Sequence, residues 1–330
     1  MPHPAPVSDP SSRPLVLLTG DVMPTVVEAQ LAPRCRLLGL TALDAETAPA
    51  VRAIATRGGQ KVDAALMARL PALEIVANFG VGYDTVDAAA AARQGVIVTH
   101  TPDVLNEEVS DLTLGLLLAT IRQIPQADAF VRAGRWPAGP FPLTGTLRGR
   151  TIGMVGMGRI GRAIARRLEG FGVAIAYHAR HPQPDLAYAY YADLMAMARA
   201  VDTLIIIVPG GAATRHMINE DVLAALGTDG IVVNVARGSV VDEAALLAAL
   251  QERRIRGAGL DVFAHEPHVP EAFFALDNVV LLPHVGSATG FTRQAMGQLV
   301  VDNLLAWFDG RGPLTPVPET PWPRAPAPIA

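Results

Sequence analysis

Thr151-Ile152-Gly153-Met154-Val155 runs directly into Gly156-Met157-Gly158-Arg159-Ile160-Gly161, and the helical pattern Arg162 to Glu169 follows at once. A strand, a G-x-G-x-x-G turn and a helix start in that order form the fingerprint of a dinucleotide-binding βαβ unit. Gly156 permits the tight turn, Gly158 lets backbone approach a pyrophosphate, and Gly161 lets helix pack on strand. Amides at the helix start, where Arg159 and Ile160 stand, hold the phosphate anion. A bare glycine turn would read the same way without its flanks, but here a second strand, Val173 to Tyr177, follows the helix.

Outward from this stretch, short apolar runs alternate with Ala/Leu-rich helical patterns, the signature of a parallel sheet covered by helices. Further strands are predicted at Thr203 to Val208, Gly230 to Asn234, Gly257 to Asp261 and Val279 to Leu282. That makes six, the number in a complete doubly wound dinucleotide fold. Upstream, Leu15 to Leu18, Arg36 to Leu40, Val51 to Ala55, Ala72 to Ala77 and Val96 to Thr99 give five more, enough for a small α/β domain. A helix from Asn106 to about Ile124 is apolar on most sides and reads as a connector between domains, a subunit contact or an intrachain core helix. Gly134 to Gly149 reads as a linker or surface loop. A last helix spans Phe291 to Phe308. Met1 to Pro14 and the residues beyond Gly310 read as proline-rich tails.

The 330 residues suggest about two domains. With 27 basic against 31 acidic residues and a net charge of -4, the composition argues against nucleic-acid and polybasic membrane partners. Cys35 is the single cysteine. It excludes an internal disulfide and a cysteine-based zinc site, and no metal is expected. The first residues lack the pattern of a signal peptide, and no apolar run is long enough to span a bilayer. A cytoplasmic location is expected.

The strand after the fingerprint ends Ala176-Tyr177-His178-Ala179-Arg180, with no carboxylate until Asp185. An acidic residue here would accept the ribose 2′-hydroxyl of NAD. A neutral residue followed by arginine removes the repulsion against a 2′-phosphate and supplies a charged donor fork. NADP is therefore expected over NAD, with Arg180 reading the phosphate and His178 and His181 beside it.

Three later loops also follow strands: Asn234-Val235-Ala236-Arg237-Gly238, Gly259-Leu260-Asp261-Val262-Phe263 with Glu266-Pro267, and Pro283-His284-Val285-Gly286-Ser287-Ala288-Thr289. All fall at the carboxyl edge of the sheet, where open α/β proteins bind ligands. An arginine, a glutamate and a histidine converging there make an anion clamp with an acid/base pair. Singly, each has a plainer reading as a surface charge, a turn residue or a loop histidine.

Together with Asn78-Phe79-Gly80-Val81-Gly82-Tyr83-Asp84, these motifs resemble, in order, the D-2-hydroxyacid dehydrogenase family and within it the glyoxylate/hydroxypyruvate reductases. The resemblance implies an α/β fold in which a Rossmann-type doubly wound domain, 103–285, is inserted into a smaller flavodoxin-like substrate domain, 1–102 and 286–330. It implies NADPH-dependent reduction of a small 2-oxo acid, glyoxylate or hydroxypyruvate, to the D-2-hydroxy acid. Arg237 would bind the substrate carboxylate and polarise the keto oxygen. His284 would be the general acid in reduction and the base in oxidation. Glu266 would hold one tautomer of His284 and favour the imidazolium. Backbone at Val81 and Gly82 would receive the carboxylate, with Ser287 beside the substrate and Asp261 near the nicotinamide carboxamide. Val208, Pro209, Ala236 and Gly286 join the cofactor contacts. A homodimer is expected, with Trp136 and Phe141 either reaching a partner's site or packing locally. Alternatives are a family member acting on D-lactate, phosphoglycerate, formate or phosphite, and a corepressor-like NAD(P)-sensing module.

Overall fold

The computed structural model describes residues 12–23 and 25–323; the outer parts of both proline-rich tails lie outside the described residues. Two compact units form: one holds the chain up to Val104 and again from Gly290, the other is Leu105–Thr289.

The first unit runs β1 (Leu15–Thr19), α1 (Val27–Leu31), β2 (Arg36–Gly39), β3 (Val51–Arg57), α2 (Ala64–Ala68), β4 (Ile75–Phe79), α3 (Ala88–Arg93) and β5 (Ile97–Thr99). The strands are parallel in the order β2-β1-β3-β4-β5, which is the flavodoxin-like order. Every residue of β1 and β4 is buried, so these strands read as unbroken apolar runs and not as alternation. The short helices α2 and α3 begin at Asp63 and Asp87, whose carboxylates accept from the amides of Leu66 and Ala90.

The second unit contains α4 (Asn106–Arg122), α5 (Ile124–Arg132), β6 (Thr151–Val155), α6 (Arg159–Glu169), β7 (Ala174–His178), β8 (Ala189–Tyr191), α7 (Leu194–Ala200), β9 (Thr203–Ile206), α8 (Glu220–Leu226), β10 (Ile231–Asn234), α9 (Glu243–Gln251), β11 (Gly257–Leu260) and β12 (Val279–Leu281). Its sheet is parallel, in the order β12-β11-β10-β9-β6-β7-β8. The chain reverses direction of winding between β6 and β9, the switch point at which doubly wound sheets bind ligands. The chain then returns to the first unit with α10 (Gly290–Phe308).

Three expectations need correction. The second sheet has seven strands, because the three-residue edge strand β8 is too short for any periodicity to register. The helix expected from Asn106 to Ile124 breaks at Gln123, whose φ of 50° ends α4 before α5 begins. The apolar residues of α4 are engaged within its own unit: Leu116, Leu117 and Ile121 join the core beneath β6, β9 and β10. Gly259 on β11 makes this possible, since a Cβ there would lie 2.6 Å from Thr120 Oγ1 and 2.8 Å from Leu116 Cγ. Finally, the residues after Gly310 do not trail away as far as they are described. They run along β5, with an antiparallel bridge between Thr99 and Pro316, and the amide of Val317 donates to Val98 O at 2.9 Å. Val317 and Thr320 are buried.

Among the described residues, no helix is long and apolar enough to cross a membrane, and no cluster of His, Cys, Asp and Glu could hold a metal ion.

Candidate active site

The fingerprint glycines are held to their positions by different contacts. Gly156 turns the chain at φ 107°, and a Cβ on it would lie 2.8 Å from Ile207 O; a Cβ on Gly161 would lie 2.5 Å from Gly156 O. A Cβ on Gly158 would meet nothing within 4 Å. Packing therefore demands the first and third glycines, while the second faces the open space that an approaching pyrophosphate needs. Gly158 also starts α6 without any side-chain cap, so the cap residue itself does not compete with an anion for the helix start. The site fits a dinucleotide.

At the end of β7, His178 Nδ1 lies 3.0 Å from Tyr191 O, which commits one ring nitrogen to the edge strand. Arg180 and His181 are exposed. Asp185, the first carboxylate after the strand, is paired with Arg162.

The arginine, glutamate and histidine lie in the loops after β10, β11 and β12. Asn234 shapes the first of these, its Oδ1 accepting from the Ala236 amide at 3.0 Å and its Nδ2 donating to Arg237 O at 3.0 Å. Arg237 Nη1 donates to Ala236 O at 2.7 Å. Behind it, a Cβ on Gly238 would fall 1.8 Å from the Phe263 carbonyl carbon. Only glycine lets the arginine loop lie directly on the glutamate loop.

Glu266 Oε1 accepts from the Phe263 amide at 3.0 Å, and Oε2 lies 2.7 Å from His284 Nδ1. Burial pushes the Glu266 carboxyl up. The His284 hydrogen bond and charge, the Phe263 amide and the Arg237 charge outweigh that, and the group ends below its usual range. With Nδ1 committed to Glu266, Nε2 is the His284 atom free to face a reacting group. His284 itself adopts the left-handed backbone region, φ 55°.

That conformation is held by Asp261, a buried carboxylate whose Oδ1 accepts from the Val285 amide at 2.7 Å and Oδ2 from the Gly286 amide at 2.8 Å. The His284 amide donates to Asp261 O at 2.8 Å, and the Asp261 amide to Asn234 O at 3.0 Å. Burial raises the Asp261 carboxyl above its ordinary value, against the pull of the two amides. Val208 and Pro209 follow β9, the buried Ala236 follows β10, and the half-buried Ser287 stands beyond His284 in the loop after β12.

In the first unit, β4 enters the Gly80-Val81-Gly82 turn. Asn78 Nδ2 donates to Gly80 O at 3.1 Å and Gly82 O at 3.0 Å, and His100 Nδ1 lies 2.9 Å from Val81 O. Three successive carbonyls are thus turned to protein donors. Among the described residues the amides of Val81 and Gly82 meet no acceptor, which leaves them to an anion. Tyr83 donates to Glu319 Oε2 at 3.0 Å, and burial with that partner pushes its hydroxyl to about 12. The supporting roles of Asn78, His100, Asn234 and Gly238 were not anticipated from the sequence. Asn78, Asn234 and Gly238 stand inside the quoted motifs, and that membership was the only available signal.

Trp136 is 66% exposed, whereas Phe141 packs edge-on against Phe130 with ring centroids 5.4 Å apart.

A doubly wound sheet with an open phosphate turn and a hydrogen-bonded histidine–glutamate pair at its carboxyl edge defines a nicotinamide-dependent oxidoreductase. The chain belongs to the D-isomer specific 2-hydroxyacid dehydrogenases: the family model described as "D-isomer specific 2-hydroxyacid dehydrogenase, NAD binding domain" matches residues 114–286. It is 54% identical to the NADPH-dependent glyoxylate/hydroxypyruvate reductase of Sinorhizobium meliloti, solved with NADP and malonate; the match covers 96% of this chain and 100% of that one, with a TM-score of 0.90. It is 48% identical over 267 residues to glyoxylate/hydroxypyruvate reductase A of Arabidopsis thaliana, covering 81% of this chain and 85% of that protein. Identity to the 2-ketogluconate reductase of Gluconobacter oxydans (strain 621H) is 45% over 309 residues, or 93% and 99% of the two chains.

Proposed function

We propose that this protein uses NADPH to reduce a small 2-oxo acid, glyoxylate or hydroxypyruvate, to the D-2-hydroxy acid. The observation that carries the reading is the His284–Glu266 pair at 2.7 Å, on the sheet edge that also holds Arg237 and the open glycine turn. A bound reduced nicotinamide supplies a hydride to C2 of the substrate. His284, presenting Nε2, donates a proton to the oxygen as the carbonyl becomes an alkoxide. Glu266, at 2.7 Å from Nδ1, holds the ring in place for the transfer. Arg237 binds the carboxylate and polarises the keto oxygen. The outward amides of Val81 and Gly82 receive the carboxylate, and Ser287 contacts the substrate. Asp261 keeps lone pairs for the nicotinamide carboxamide while holding the histidine loop.

NADPH is favoured because Arg180 is exposed beside a strand end without a carboxylate. The names of the relatives support glyoxylate and hydroxypyruvate. A homodimer is favoured by α5, none of whose residues is buried, and by Ile124, Val131, Trp136 and Leu143, all more than half exposed in one continuous segment. A second copy covers this face and takes Trp136 toward its substrate. The cytoplasm suits a single thiol, Cys35, which burial pushes up to about 11.

A panel of 2-oxo acids against NADPH and NADH, read as kcat/KM, tests the proposal. The highest value is expected for glyoxylate or hydroxypyruvate with NADPH. Firm NADPH binding without turnover of any 2-oxo acid would overturn it in favour of a sensing module, and a preference for 2-ketogluconate would move the substrate to the sugar acids.

A further inference from the structure

Four of the five tyrosines in the chain, Tyr177, Tyr188, Tyr190 and Tyr191, lie in or beside the loop between β7 and β8 that carries Arg180. The Gln183 amide donates to Tyr177 Oη at 2.7 Å, Tyr190 Oη donates to Ala179 O at 3.2 Å, and Tyr188 Oη donates to Glu169 Oε1 at 2.6 Å. One cation completes the set. Arg162, on the first turn of α6, donates from Nη2 to Gln183 Oε1 at 2.6 Å and to Asp185 Oδ1 at 3.1 Å, while Nη1 donates to Asp185 Oδ2. The loop is therefore fixed at both ends, and Asp185, its one carboxylate between His178 and Tyr188, is covered by a bidentate guanidinium.

We propose that Arg162 is a positioning residue for coenzyme discrimination: by neutralising Asp185 and tethering Gln183, it keeps the Arg180 loop receptive to a 2′-phosphate. The inference rests on the NADPH reading above. An uncovered carboxylate five residues from Arg180 would oppose a phosphate through like-charge repulsion and offer Arg180 a competing partner. A carboxylate at this position is ionised at neutral pH in any case, and the hydrogen bond from Arg162 holds Asp185 below the usual carboxylate range. Arg162 stands in the helix that starts from the glycine turn, its amide donating to Gly158 O at 2.9 Å, and the turn is itself tied to the end of β7 by the Gly156 amide, which donates to His178 O at 2.9 Å.

The test needs no turnover. Binding of 2′,5′-ADP and 5′-ADP to the full chain is measured by calorimetry at low and high salt. Tighter binding of 2′,5′-ADP by the unsubstituted protein checks the NADPH reading itself; its absence would remove that reading first. Arg162→Met is expected to weaken 2′,5′-ADP about fivefold at low salt while leaving 5′-ADP within about twofold, and added salt should shrink the difference. Asp185→Asn alone should retain the discrimination, and Arg162→Met with Asp185→Asn should regain most of it. An unchanged ratio in Arg162→Met, or a double variant no better than the single one, would overturn the proposal, the latter by showing that Arg162 acts directly or merely structurally.

Discussion

His284 combines an unfavourable backbone with the central chemical role. A φ of 55° costs a non-glycine residue on the order of 1 kcal/mol or more, and persists only where the surroundings over-determine it. Asp261 does that here, by accepting the amides that follow His284. His284→Ala is expected to lower kcat roughly a hundredfold or more while NADPH affinity, read by fluorescence titration, stays unchanged. Glu266 gives a pH signature. Its carboxyl is held below its unfolded value, so its contribution to stability is complete above the unfolded value of about 4.3 and is lost as pH falls through the folded one. Denaturation midpoints measured between about pH 6 and 3 should fall less steeply for Glu266→Gln than for the unsubstituted protein. Arg237, Glu266 and His284 were legible as neighbours because each follows a strand of one parallel sheet. Gly238 was not, because what forbids its side chain is the backbone of Phe263, about twenty-five positions away and on another loop.

At the level of elements, legibility followed burial. Strands covered on both faces, such as β1, β4 and β10, stand out as apolar runs. β8 does not, being three residues at an edge. Glycine in a strand reads as weakness, so Gly259 hid the close approach of α4 to β11, and Gly257 that of the Asn278 carbonyl. The segment after α10 was misread for a related reason: its prolines signal irregular chain, yet an edge position beside β5 tolerates a residue that cannot donate. Val317 donates to Val98 and is fully buried in the first unit's core. Val317→Ala should therefore destabilise the protein by about 2 kcal/mol, measured as a shift in denaturant midpoint at unchanged slope.

At the scale of the whole molecule, the two units differ in what they need from the rest of the chain. The second unit draws its two cores from within Leu105–Thr289. The first needs Val317 beside Leu17, Ile54 and Val98. Residues 105–289 made alone should show cooperative thermal unfolding by circular dichroism, and residues 12–104 made alone should not. This dependence sets an order on biosynthesis. As the chain leaves the ribosome, β1 to β5 emerge first, but they must wait for α10 and the segment beyond it, on the order of ten seconds or more at ordinary translation rates. The unit whose strands come earlier in the chain is the later to be completed, and until then β5 presents an unpaired edge to every neighbouring nascent chain. Chaperone demand during synthesis should therefore fall on the first unit, whose strands are held open by the gene order itself.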